Sequence, residues 1–161
     1  HNEWDLLSLI TLYVHSTYLL FEQSSDESAN TYTNIGKWYA DLKKRPQSVN
    51  VLEKVTAQFD AREAGNAQFY LAMQLKKNKQ YSEAVDAFVA SLHFIEPRKK
   101  LQALEQLAII YEHHLKDMKQ ALVYTLEGIQ LITSTEDWRM EQKQKWEISW
   151  EKRLHRLGNK Q

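Results

Sequence analysis

The chain has 161 residues, with 21 Lys and Arg balanced by 21 Asp and Glu, so its formal net charge is zero. No global field steers it toward nucleic acid or membrane, and any such binding has to come from local clusters. The absence of cysteine excludes a disulfide framework and a thiolate zinc site, and suits a reducing compartment, so the expected location is the cytoplasm.

This length is enough for one domain or one short array that buries roughly 70% of the surface its unfolded chain exposes. Four glycines and two prolines are few. The stretches between them are rich in Leu, Ala, Glu, Gln and Lys, which favours uninterrupted helices and predicts an all-α protein.

From Glu3 to about Gln23, Leu6, Leu7, Ile10, Tyr13, Val14, Tyr18 and Phe21 recur at helical intervals. The uncharged run Leu6 to Phe21 covers sixteen residues, short of the ~20 a membrane span needs, so a covered helix is expected and no membrane partner. The opening has neither the basic start nor the small-residue cleavage site of a secretory signal. Its first residue is His rather than Met, which suits a piece of a longer protein or a residue left by a tag.

Ser24 and Glu27 stand at capping-box spacing and predict a second helix running to about Leu42. Lys43-Lys44-Arg45-Pro46 should end it, because the residue before a proline avoids the helical region and Pro46 suits a first helical turn. A third helix, about Gln47 to Phe59, carries Val49, Leu52, Val55 and Phe59 on one face. Asp60 and Glu63 form another capping-box spacing and open a helix from Ala61 to about Lys77. Ser134-Thr135-Glu136-Asp137 reads as one more start signal, for a helix to about Leu157 whose stripe is Trp146, Trp150, Leu154 and Leu157.

A period of 36 residues links these segments: Gly36, Ala72 and Ala108 are evenly spaced, as are Ile35, Leu71, Leu107 and Tyr39, Leu75, Tyr111. Small and large apolar residues recurring together at this spacing mean stacked helical pairs. Ala72 and Ala84 are expected where the two helices of a pair approach, with Gly36 at the same crossing one repeat earlier. Phe69, Leu71, Ala72, Leu75, Tyr81, Ala84, Phe88, Ser91 and Pro97 resemble the tetratricopeptide consensus. Leu107, Ala108, Tyr111, Met118, Ala121, Tyr124 and Gly128 match it too, once one extra residue is allowed near Leu115. An earlier unit keeps Ile35, Gly36, Tyr39, Leu52 and Val55 but has Ser48 where alanine is expected.

The resemblance implies a tetratricopeptide-like α-α superhelix of about three helical pairs, with an extra N-terminal helix and a C-terminal capping helix. The expected units are 1–23, a terminal helix of an upstream domain; 24–133, the repeats; and 134–161, the capping helix and tail. Such arrays usually bind rather than transform their ligands.

The opening His1-Asn2-Glu3-Trp4-Asp5 followed by an apolar helix resembles the last motif of ribonuclease-H-like exonucleases that hold two cations with four acidic residues. That resemblance implies Asp5 as a metal ligand, His1 as the residue orienting the attacking water, and magnesium or manganese as the ion. Hard cations flanking a scissile phosphate need such oxygen ligands. The three residues between His1 and Asp5 match the tyrosine-type version of the motif, while the histidine-type version has four. Asp5 also suits the first turn of a helix on electrostatic grounds alone, and His1 a frayed end. Joined to the repeats, the motif resembles the C-terminal region of the YprB-type bacterial exonucleases, which carry a tetratricopeptide-like extension. The remaining acidic ligands would lie upstream, so this chain by itself is expected to be inactive and to hold no cofactor.

Two further surfaces are candidates. Lys43, Lys44, Arg45, Lys76, Lys77 and Lys79, followed by Lys116 and Lys119, fall near the turn inside each pair, where stacking would bring them onto one edge as a ridge for phosphates. Lysines also gather there to complement helix C-termini. Asn30, Lys37, Asn66 and Gln102 recur on the side lined by the first helices and suit an extended peptide backbone, or simple solvation near helix starts. The carboxylate-clamp positions of tetratricopeptide arrays fall on Thr33, Lys37, Tyr70, Gln102 and Gln106, of which only Lys37 is basic, so a C-terminal carboxylate is not the expected ligand. His113 and Asp117 have metal-sharing i, i+4 spacing but lack a third ligand. The expected function is a non-catalytic interaction module of a nuclease, orienting nucleic acid or recruiting a protein; the alternative is an independent peptide-binding adaptor.

Overall fold

The computed structural model describes residues 28–158 together with Ser8 and Leu12, both helical and solvent-exposed. The expected helix Glu3 to Gln23, with His1 and Asp5, lies otherwise outside the described residues. Over the described residues the chain is all-helical, with no strand. The helices are α1 (Ala29–Asp41), α2 (Arg45–Gln58), α3 (Ala61–Lys77), α4 (Tyr81–Ser91), α5 (Pro97–Ile110), α6 (Met118–Ser134) and α7 (Met140–Gly158), with a π-helical turn at Tyr111–Leu115 prolonging α5. Each helix packs on the next in sequence, and α1 also reaches α3. The connections are short, so neighbours run antiparallel and burial grows by local stacking.

The ends of the helices follow from side-chain chemistry. Asp60 caps α3 by accepting from the backbone N–H groups of Arg62 and Glu63, both at 2.9 Å, and Pro46 and Pro97 occupy the first turns of α2 and α5. Two expected starts move. α1 begins at Ala29, with Ser28 as its cap accepting from Thr31 N–H, rather than just after Ser24. Ser134 closes α6 and α7 begins only at Met140. The segment between them carries Trp138, which is buried and meets Trp146 edge-on at 4.7 Å. Burial of that indole decides the boundary over the polar start signal before it.

Three helix ends share a feature. Lys43, Lys79 and Lys116 adopt φ of 59°, 64° and 59°, the left-handed conformation usually left to glycine. In the first two, the following residue, Lys44 or Gln80, donates its N–H back to Tyr39 or Leu75, closing a Schellman turn. Their spacing is 36 and then 37 residues. The π turn at Tyr111–Leu115 absorbs the additional residue, since an i to i+5 turn lengthens a helix by one position without breaking it.

The core repeats with the same period. An added Cβ at Gly36 would stand 2.6 Å from Leu52 Cγ, and one at Gly128 would stand 2.1 Å from Trp150 Cζ3, so both glycines are contact points where a helix or an indole presses on the backbone. Ala72, Ala84 and Ala108 are fully buried, and Phe69 meets Phe88 edge-on at 6.0 Å. Ser48, at the alanine position of the first pair, is buried and donates to the Gly36 carbonyl at 2.7 Å, so the hydroxyl is satisfied at the crossing. Tyr39, Tyr81 and Tyr111 line this core only in part. Tyr111 stacks on Tyr124 at 5.6 Å and Tyr81 on the His114 ring at 3.8 Å.

Candidate interaction groove

α1, α3 and α5 place their residues around a cavity of about 240 Å³ whose lining includes Lys37, Tyr70, Gln74, Lys77, Lys99 and Gln102. Helical spacing explains the set: Tyr70, Gln74 and Lys77 succeed each other at i, i+4 and i+7 along one face of α3. The floor is apolar, with Leu52, Phe69 and Met73. The Lys37 ammonium lies 5.0 Å and the Lys99 ammonium 5.6 Å from the centre of the Tyr70 ring, so one aromatic face or edge gathers two cations. Lys99 also donates to Asn66 Oδ1 at 2.7 Å and stands 4.0 Å from Glu96. Gln74 is buried, and its Oε1 accepts no hydrogen bond among the described residues.

The expected groove residues are therefore divided. Lys37 and Gln102 line the cavity; Asn66 fixes Lys99 at its edge; Asn30 is exposed on α1 and is not part of the lining. Of the clamp positions, Tyr70 joins Lys37 and Gln102. Thr33 is buried and donates back to the Ala29 carbonyl, while Gln106 accepts from Lys76. Lys77, Lys99 and Gln74 were not legible as groove residues. Lys77 looked like a ridge residue, and nothing in the sequence says that Gln74 loses its solvent.

The basic ridge is also divided. Lys43, Lys44, Arg45, Lys79, Lys116 and Lys119 are exposed at the turns. Lys76 instead packs toward α5: burial holds its ammonium below the usual lysine value, with Glu105 pulling it back up and Arg153 pushing it further down. Lys77 turns to the cavity. Trp38, half exposed on α1, is an aromatic surface residue that the repeat pattern does not mark.

His113 and His114 are exposed, and their neighbours already engage them. His114 stacks on Tyr81, and Asp117 caps α6 through Gln120 N–H at 3.0 Å. Among the described residues no group of three or more His, Cys, Asp or Glu side chains is placed to hold a metal ion. No described helix is long and apolar enough to cross a membrane.

The π turn has a second consequence. Glu112 is almost fully buried, and Arg156 of α7 grips its carboxylate with two bonds, 2.9 Å from Nε and 2.7 Å from Nη2. Arg153 Nη1 lies 3.8 Å and His113 Nε2 3.4 Å from the same carboxylate, and Arg153 also reaches Glu105 at 3.4 Å. These contacts, with Trp150 on Gly128, hold α7 over the last pair. The basic residues of α7 thus include two that anchor it through Glu112, Arg153 largely covered and Arg156 still half exposed.

No protein-family model matches the chain. Over 123 residues, 76% of its length, it is 28% identical to YprB of Bacillus subtilis (strain 168), a protein described as uncharacterized. The matched region amounts to 30% of that protein, so this chain is similar to less than a third of it.

Proposed function

We propose that the chain is a non-catalytic, tetratricopeptide-like interaction module of a ribonuclease-H-like exonuclease, acting in the cytoplasm, and that its groove holds a segment of a protein partner. The observation that carries this reading is the cavity where Lys37, Tyr70 and Gln102 converge from the first helices of three successive pairs. Such concave surfaces are what stacked helical pairs offer a ligand. The similarity to part of YprB supports the placement beside another domain. The nuclease link rests on the resemblance of His1 to Asp5 to the exonuclease motif. In the longer protein Asp5 would bind magnesium or manganese with acidic residues from outside this chain, and His1 would orient water.

The test has two arms. The 161-residue chain, incubated with magnesium or manganese and labelled single-stranded RNA and DNA, should cleave neither, because one carboxylate cannot hold two ions; cleavage by the pure chain refutes the reading. In the longer protein, Tyr70→Ala with Gln102→Ala should leave hydrolysis of a short oligonucleotide intact and abolish recovery of the bound partner. If acidic motifs are missing upstream of His1, the module is an independent adaptor.

A further inference from the structure

We propose that the cavity between α1, α3 and α5 receives an acidic side chain carried on an extended peptide, with Gln74 taking a hydrogen bond from the peptide. The inference rests on reading this face as an interaction groove and names the chemistry of what enters it. Three observations converge on it.

First, the charge of the lining is one-sided: Lys37, Lys77 and Lys99 against Asp41, in a chain whose total charge is zero. Second, Lys37 and Lys99 are drawn to the same Tyr70 ring. Both ammonium groups are thus gathered at one ring, at the mouth of one cavity. Glu96 offsets Lys99 only from the exposed rim. A carboxylate entering beside the ring is attracted to both cations, with a charge-assisted contact to the nearer of them. Third, Gln74 brings a polar group to the wall and leaves its Oε1 without a donor, although the side chain is only 4% exposed. A buried acceptor without a partner is destabilising. A peptide N–H or amide entering the cavity supplies the missing donor after a turn of the Gln74 amide toward the opening.

The apolar floor of Leu52, Phe69 and Met73 accommodates the methylenes of Glu or a neighbouring apolar side chain. Phosphate would share the attraction to the lysines. The cavity is small, however, and its lining carries Asp41 and a hydrogen-bond acceptor, which suits a peptide's N–H and carboxylate together better than a polyanionic backbone.

The experiment selects displayed random nonapeptides on the full 161-residue chain at physiological salt. One library is displayed through its C-terminus, so that only side-chain carboxylates are present, and another through its N-terminus, leaving the terminal carboxylate free. Enrichment of Asp or Glu at one position of the first library is the expected result, with binding of the selected peptide weakened at least tenfold by Lys37→Ala with Lys99→Ala. Gln74→Leu should weaken it severalfold, and Lys44→Ala with Lys119→Ala should leave it unchanged. Circular dichroism confirms folding of each variant. Enrichment of neutral peptides, or lysine variants that bind unchanged, overturns the acidic specificity and leaves the groove reading standing. Enrichment only through a free C-terminus reassigns the carboxylate and overturns the side-chain proposal. Loss of the peptide to a competing single-stranded 12-mer RNA refutes it in favour of nucleic acid, and no enrichment in either library refutes the groove itself.

Discussion

Replacing Arg156 with Ala should unlatch the capping helix. Glu112 is 1% exposed, and Arg156 donates two short bonds to it, at 2.9 and 2.7 Å. The Glu112 hydrogen bond raises the Arg156 pKa against the opposing effect of burial, so the pair is bound most firmly as an ion pair. Breaking a buried pair by removing one partner costs ~3–5 kcal/mol, because the other charge stays desolvated. Here the low end applies. Arg156 is 47% exposed, so water can follow the truncation, and Arg153 at 3.8 Å can shift toward the carboxylate. A loss of about 3 kcal/mol in a domain of this size lowers Tm by roughly 6–12 °C. Urea unfolding followed by helix dichroism and tryptophan fluorescence reads both the stability and the cap, since Trp146 and Trp150 belong to α7. Glu112→Gln combined with Arg156→Ala closes a double-mutant cycle and should recover part of the loss. A change below ~0.5 kcal/mol, the scale of an ordinary surface substitution, would refute the reasoning, as would two mutations that simply add.

Gly128→Ala places a methyl 2.1 Å from the Trp150 ring. It should cost ~1–3 kcal/mol despite the better helix propensity of alanine, with a red-shifted tryptophan emission as the cap moves; a more stable variant refutes the contact. Lys79→Gly relieves a left-handed lysine and should stabilise by about 0.5–1 kcal/mol in urea unfolding, whereas destabilisation would show that the lysine side chain is needed there. Although His114 is exposed, its pKa is lowered, first by desolvation of a ring that stacks on Tyr81 and then by the charges of Lys76, His113 and Lys116. The unfolded chain therefore binds more protons than the folded one between the depressed value and 6.5. Stability should fall as pH drops through that window, His114→Gln should flatten this part of the profile, and an unchanged profile contradicts it.

Much of the architecture was legible because it is local. Each helix packs on its sequence neighbour, so the 36-residue recurrence of Gly36, Ala72 and Ala108 carries the stacking directly. Asp60 announces α3 because a cap needs only the two N–H groups that follow it. The start at Ser134 misled for the same reason: its polar run has the right spacing, but burial of Trp138 outweighs a cap.

The site was legible in part. Lys37 and Gln102 could be placed on the groove side by register alone. Lys99 needed α5 to lie against α3, and Lys77 needed the rotation of α3, which a run of lysines at a helix end does not reveal. The burial of Glu112 was invisible, since a glutamate between Tyr111 and two histidines reads as solvated surface until the π turn rotates it under α7.

The amino-acid sequence by itself determined the all-helical class, the 36-residue period and the extra residue near Leu115, because propensity, capping and small-residue crossings act within a turn or between adjacent segments. Only the tertiary structure decided that the extra residue becomes a π turn, that Glu112 is buried beneath Arg156, and that Gln74 faces a cavity ringed by lysines. Those outcomes depend on which surfaces lose water when helices distant in sequence meet, and the free energy of a charge or an amide changes most at that step.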